Sequence, residues 1–102
     1  MAGALAFDAP ALGIDALAAP AHKFLLGTRG MGYAYFASSL RDRMLPAAAG
    51  WKAAAEPLAS FFGPAMTLSA TASRYDQSLA WFNVMADVEA MALLRDIGIT
   101  GI

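Results

Sequence analysis

His22, the single histidine of the chain, stands directly beside Lys23, and the pair could do chemistry that neither residue does alone. An amine that is neutral part of the time can attack an aldehyde carbon, and burial among apolar neighbours favours the neutral form of an amine. A neighbouring histidine can bond an anionic group such as a phosphate. The glycines that follow let the backbone approach a ligand closely or adopt positive φ: Gly27, Gly30 and Gly32.

Taken alone, these residues favour a plainer interpretation. Lys23 would then be a solvated lysine at a strand end, His22 a half-buried residue with satisfied hydrogen bonds, and the glycines a turn. The stretch GTRGMG lacks the spacing of a phosphate-binding loop.

The elements around this pair are predicted from local patterns. The segment 31–38, MGYAYFAS, is expected to be a strand because aromatic residues follow glycines there. Residues 9–17 are typical of a turn or a short helical piece, and Ala16–Ala19 is too rich in alanine to be assigned as a strand from composition. Lys23 is therefore expected at a strand end, where α/β sheets place their ligands.

The later part of the chain is predicted to end in a long helix. Residues 38–46 are typical of a short helix that stops at a proline, and 47–73 are expected to be irregular. A helix is predicted from about Leu79 to Ile97, with Gly98 as its C-terminal stop. Its apolar face is formed by residues at helical spacing, namely Trp81, Val84, Met85, Val88, Met91 and Ala92. Its charged residues are expected largely off that face: Asp87, Glu89, Arg95 and Asp96.

Composition limits the class of protein. The chain has 102 residues, 59% of them hydrophobic and 15% charged, against roughly 45–50% and about 25% in ordinary globular domains. Such a chain either spans a membrane or has apolar faces that another surface covers. A membrane span is not expected, because the longest uncharged run, 57–73, contains Gly63, and Asp8 and Asp15 interrupt the N-terminal apolar segment.

Charge and cysteine content exclude further classes. The net charge of −1 provides no basic stripe for nucleic acid. The absence of cysteine removes disulfides and thiolate nucleophiles, and a single histidine leaves no plausible zinc ligand set. These features suit a cytoplasmic protein.

The order of the motifs resembles the lysine segment of the class V aminotransferase family, whose members are fold-type I, pyridoxal-phosphate-dependent enzymes such as cysteine desulfurases and isopenicillin-N-epimerase-like proteins. The matching positions are Gly3-Ala4, Phe7-Asp8-Ala9, Gly13-Ile14-Asp15-Ala16, His22-Lys23-Phe24-Leu25-Leu26-Gly27, Gly30, Gly32 and Tyr33–Phe36. Downstream, LPAAAGW, SRYDQSLAWFN and LLRDIGITGI resemble the family's Pro-then-Gly-Trp element, its Arg-Phe-Glu segment and its helix ending in Gly-Ile. The likeness covers nearly all of the chain.

The resemblance implies roles for three residues and a cofactor, pyridoxal 5'-phosphate. Lys23 matches the lysine that forms the internal aldimine and moves a proton at the substrate α-carbon. His22 matches a histidine near the cofactor phosphate. Ser78 falls near a residue that offers its hydroxyl to the phosphate of a neighbouring subunit, although a serine just before a helix is also an ordinary N-cap. An amino-acid-like substrate and a homodimer or larger homo-oligomer follow from the same resemblance.

The chain departs from the family pattern at two single positions and in one segment. Pro20 stands where many members have a phosphate-binding serine, and Thr28 replaces the usual proline of a Gly-Pro pair. The Arg-Phe-Glu and Gly-Thr pattern is reduced to Arg74-Tyr75-Asp76 with Ser78, which weakens the case for the contact across subunits.

The expected fold is α/β: part of a fold-type I large domain, with a few strands of a mixed sheet, helices and a long C-terminal helix. Residues 1–102 are expected to be one fragment, the C-terminal part of that domain leading toward a small domain. The aspartate for the pyridine nitrogen would precede residue 1 and the arginine for the substrate carboxylate would follow residue 102, so the fragment alone is expected to be inactive or nearly so. Transamination, elimination, desulfuration and racemisation all stay open.

The alternative is a non-enzymatic remnant that folds only as a homo-oligomer or with an interaction partner. Its core would be built from apolar residues of the last helix: Val84, Met85, Val88 and Met91.

Overall fold

The computed structural model describes residues 2–63 and 66–102 and divides the chain into two compact units. Unit 1 comprises Met1–Ala37 and Leu79–Ile102, and unit 2 comprises Ser38–Ser78. In chain order the elements are β1 (Ala16–Pro20), β2 (Gly32–Phe36), α1 (Ser38–Arg41), two short 3-10 helices (Trp51–Ala53 and Ala72–Tyr75) and α2 (Trp81–Ile97). The predicted α/β class and the long C-terminal helix are confirmed.

In unit 1, β1 and β2 form an antiparallel pair whose register runs from Ala16 opposite Phe36 to Pro20 opposite Gly32. The backbone pairing continues past the strands, because the N–H of Ala21 donates to the carbonyl oxygen of Met31 over 3.0 Å. The prediction for β2 is confirmed. The alanine-rich β1, left unassigned from composition, is a strand because β2 pairs with its backbone, and such pairing outweighs the weak strand preference of alanine.

Helix α2 begins at Trp81, close to the predicted start, and ends at Ile97 as predicted. Gly98 follows with φ 75°, and its N–H donates to the carbonyl oxygen of Leu94 over 3.0 Å. Ala80 is the N-cap of α2 and makes no side-chain cap hydrogen bond. The interpretation of Ser78 as the N-cap is therefore wrong.

The buried side of α2 differs from the apolar face that the sequence predicts. Trp81, Met85 and Val88 are 77%, 68% and 59% exposed. The one residue of α2 that is buried is Asp87, at 1% exposure. The prediction that this charge lies away from the packed side is wrong, because hydrogen-bond donors elsewhere in unit 1 turn Asp87 inward. Met85 and Val88, which the non-enzymatic alternative buries in a homo-oligomer, are exposed in the single chain.

Unit 2 is built from short pieces, as the sequence predicts for 47–73; residues 64 and 65 lie outside the described residues. An isolated antiparallel bridge joins Ala54 to Leu68. The hydroxyl of Tyr75 donates to the carbonyl oxygen of Arg41 over 2.8 Å, which ties the second 3-10 helix to α1.

The described part of the chain buries few apolar side chains: Ala21, Met31, Ala53 and Ala54. Most large apolar residues keep much of their surface open, which agrees with the unusually apolar composition. Within residues 2–63 and 66–102, no helix has both the length and the apolar character that crossing a bilayer requires.

Candidate active site

The loop 21–31 joins β1 to β2 and carries Lys23 three residues after the end of β1. The N–H of Leu26 donates to the carbonyl oxygen of Lys23 over 3.1 Å, and the N–H of Gly27 donates to that of Ala21 over 2.9 Å. The loop thus folds back on itself, and the backbone of Lys23 is held by its own turn. The predicted position of the lysine at a strand end agrees with this geometry.

The side chains of His22 and Lys23 are both exposed. Among the described residues, no carboxylate forms an ion pair with the Lys23 amine. The plainer interpretation expected a solvated Lys23, which agrees with the structure, and a half-buried His22, which does not. The burial among apolar neighbours that would favour amine chemistry at Lys23 is not present in the structure. Exposure leaves the Lys23 amine accessible to an aldehyde and the His22 ring accessible to an anion.

Asp87 of α2 connects the helix to this loop. Its Oδ1 accepts a hydrogen bond of 2.7 Å from the backbone N–H of Thr28 and one of 3.0 Å from the Thr28 hydroxyl. Its Oδ2 accepts a hydrogen bond of 3.0 Å from the hydroxyl of Tyr33, in β2. Both carboxylate oxygens are therefore satisfied, as a buried charge requires.

A second side chain of α2 reinforces the connection. Asn83 lies one helical turn before Asp87, and its Nδ2 donates to the carbonyl oxygen of Arg29 over 2.7 Å. Two neighbouring residues of the loop, Thr28 and Arg29, are thus held by residues at i and i+4 of one helix, which lie on the same face.

Close packing at Gly27 shows how tightly the loop meets Asp87. A Cβ added at Gly27 would stand 2.7 Å from Oδ1 of Asp87 and 2.8 Å from the Cβ of Ala21. The position before it, Leu26, has φ 58°, a left-handed conformation that is uncommon outside glycine. The loop therefore has a shape that its surroundings impose.

The charge state of Asp87 follows from its partners. The backbone N–H of Thr28 contributes most to holding the pKa of Asp87 below its ordinary value; burial opposes this, and the hydroxyls of Tyr33 and Thr28 add to the lowering. Burial raises the pKa of Tyr33, and the hydrogen bond to Asp87 and its negative charge raise it further. The stable arrangement is an ionised carboxylate that faces a neutral phenol.

Ser78, the third residue singled out from the sequence, is exposed and is the last residue of unit 2. His22 and Lys23 belong to unit 1. The structure thus brings two of the three predicted residues together, on one loop of unit 1.

Sequence reasoning missed Asp87 with its partners Thr28 and Tyr33, and it missed the contact of Asn83 with Arg29. One signal was available, because Asp87 lies three residues after Val84 and four before Met91, so it borders the apolar face of the helix instead of opposing it. A carboxylate at such a position indicates a buried partner. Which residue that partner is could not be derived from helical spacing.

Comparison with known proteins identifies one family. The family model described as aminotransferase class-V matches residues 1–102. No curated protein and no solved structure matches the chain.

Proposed function

Because the chain belongs to the class-V aminotransferase family, we propose that it is the lysine-bearing part of a pyridoxal-phosphate-dependent enzyme that acts on amino-acid-like substrates. The observation that carries the proposal is the position of Lys23, on a loop that Asp87 and Asn83 hold at the end of β1. A cofactor aldehyde needs an accessible amine in a defined position.

Lys23, His22 and Ser78 have separate roles in this proposal. When bound, pyridoxal phosphate would supply an electron sink for charge at the substrate α-carbon. The Nζ of Lys23 would hold the cofactor through its aldehyde carbon and later carry a proton to or from the substrate α-carbon. His22 would donate a hydrogen bond to the cofactor phosphate, and Ser78 would donate its hydroxyl to the phosphate bound by a neighbouring subunit.

The proposal includes the context of the chain. Residues 1–102 form the C-terminal part of a fold-type I large domain, are inactive or nearly so by themselves, and work in a homodimer or larger homo-oligomer. Support comes from the exposed apolar residues of α2, including Trp81 and Met85, which another protein surface would cover. The absence of cysteine supports a place in the cytoplasm.

A second candidate rests on the same exposed apolar surface. A non-enzymatic chain would use it only to assemble with copies of itself or with a partner, and Lys23 would then be an ordinary surface lysine.

Borohydride trapping separates the two candidates. The purified chain is mixed with pyridoxal phosphate, reduced, digested and analysed by mass spectrometry. The enzyme proposal expects Lys23 to be labelled in preference to Lys52, which stands 4.4 Å from the centre of the Trp51 ring and serves as the internal control. Lys23→Ala should leave only the background at Lys52. Equal labelling of both lysines would contradict the proposal and favour the second candidate.

A further inference from the structure

We propose that Asp87 is the positioning residue of this site: it holds the loop that carries Lys23 in one conformation through its hydrogen bonds to Thr28. Only the role given to Lys23 rests on the proposed function. The contact between helix and loop stands on the geometry alone.

The contact reaches Lys23 through a short series of backbone hydrogen bonds. Asp87 holds Thr28 by its N–H and its hydroxyl. The residue before it, Gly27, donates to the carbonyl oxygen of Ala21, and Leu26 donates to that of Lys23. Residues on both sides of Lys23 are therefore fixed relative to Asp87.

The identity of residue 28 makes this contact possible. A proline at this position, which the resemblance leads one to expect, has no N–H to donate and would leave Oδ1 of Asp87 without its shortest hydrogen bond. Proline restricts a loop by its ring. In this chain the loop is restricted instead by a buried carboxylate on a helix that is distant in sequence. Thr28 and Asp87 therefore form one functional pair.

The position of Asp87 requires a side chain that accepts hydrogen bonds. Three hydrogen atoms converge on Asp87, two at Oδ1 and one at Oδ2. Alanine would leave the N–H of Thr28 without this acceptor, whereas asparagine could still accept from Thr28 with its oxygen and donate to the Tyr33 hydroxyl with its nitrogen.

The test uses the full chain with Asp87→Ala, the conservative Asp87→Asn and the matched control Asp96→Ala. Asp96 lies on the same helix, but its side chain is 70% exposed. Amide hydrogen exchange by NMR reports on the loop, and the ratio of Lys23 to Lys52 labelling after reduction with pyridoxal phosphate reports on the amine. In Asp87→Ala, exchange at Thr28 and Leu26 should accelerate at least ~tenfold and the labelling ratio should fall severalfold. Asp87→Asn should restore most of both, and Asp96→Ala should change neither.

Two results would overturn the proposal. One is unchanged exchange at Thr28 in Asp87→Ala; the other is faster exchange with an unchanged labelling ratio, which would reduce Asp87 to a structural residue. If Asp87→Ala loses the circular dichroism of α2, the near-isosteric Asp87→Leu replaces it, since leucine fills the buried position and accepts no hydrogen bond from Thr28. Unchanged Leu26 exchange and labelling in Asp87→Leu would then overturn the proposal.

The experiment also separates failure of the proposed function from failure of the role given to Asp87. If the unaltered chain shows no preference for Lys23, the enzyme proposal fails, and exchange at Thr28 in Asp87→Ala alone decides whether Asp87 holds the loop.

Discussion

The backbone N–H of Thr28 and Oδ1 of Asp87 are separated by 59 residues in sequence and by 2.7 Å in the structure. This hydrogen bond joins the C-terminal helix α2 to the loop that carries Lys23. The geometry around the candidate reactive amine therefore depends on a helix in which the sequence predicted no site residue.

A double-mutant cycle should show that Thr28 and Asp87 act as a pair. Thr28→Pro removes both donors to Oδ1, so it should lower the melting temperature by several degrees in the unaltered chain. The Asp87→Ala chain has no carboxylate at this position that could lose its donors. Thr28→Pro should therefore lower the melting temperature much less in that chain. Thermal unfolding of the four chains provides the comparison; additive effects would show that the two residues act independently.

Adding a methyl group at Gly27 should displace Asp87. The new Cβ would overlap Oδ1 of Asp87, and such overpacking costs about 1–3 kcal/mol in the free energy of unfolding. Urea titration of Gly27→Ala should show this loss together with a lower Lys23 labelling ratio. Gly50→Ala is the matched control, because nothing stands within 4 Å of a Cβ added there. Equal stability of the two variants would mean that the loop does not pack closely against α2.

The loop contact should depend on pH in a predictable direction. The pKa of Asp87 is lower in the fold than its unfolded value of about 3.9, so its stabilisation is present above about pH 4. It is lost as the pH falls through the folded pKa. Tyr33 has a raised pKa, so its contribution is present below about pH 10 and is lost as the pH rises through its folded value. The side chain of Arg95 lines the same pocket as Tyr33 and Asp87.

The Thr28 amide resonance measures the acid step directly. Its chemical shift, followed from neutral pH downward, should show a transition below about pH 4. That transition should vanish in Asp87→Asn and persist in Asp96→Asn. A transition that survives in Asp87→Asn would assign the titration to another carboxylate.

His22 should affect binding of the cofactor phosphate and nothing else. In the proposed role of His22, His22→Ala would remove one hydrogen bond to a charged group, so the apparent affinity for pyridoxal phosphate should fall about tenfold. Pyridoxal, which lacks the phosphate, serves as the control ligand and should bind both chains equally. Equal losses for the two ligands would show that His22 shapes the loop and does not contact the phosphate.

The sequence by itself predicted the elements whose signals are local. Aromatic residues after glycines predicted β2 and with it the position of Lys23 at a strand end. Helical spacing and Gly98 predicted α2, and the motif order predicted the family. Each of these features depends on neighbours within one element or on a pattern of residues in fixed order. Such patterns can be recognised from the sequence alone.

Only the tertiary structure decided the features that depend on distant partners. The alanine-rich β1 is a strand because β2 pairs with it. Helix α2 turns Asp87 inward, and leaves Trp81 and Met85 exposed, because Thr28 and Tyr33 supply donors to the carboxylate. A hydrogen bond to a buried charge can outweigh the burial of an apolar side chain, and neither partner can be identified before the loop and the helix meet.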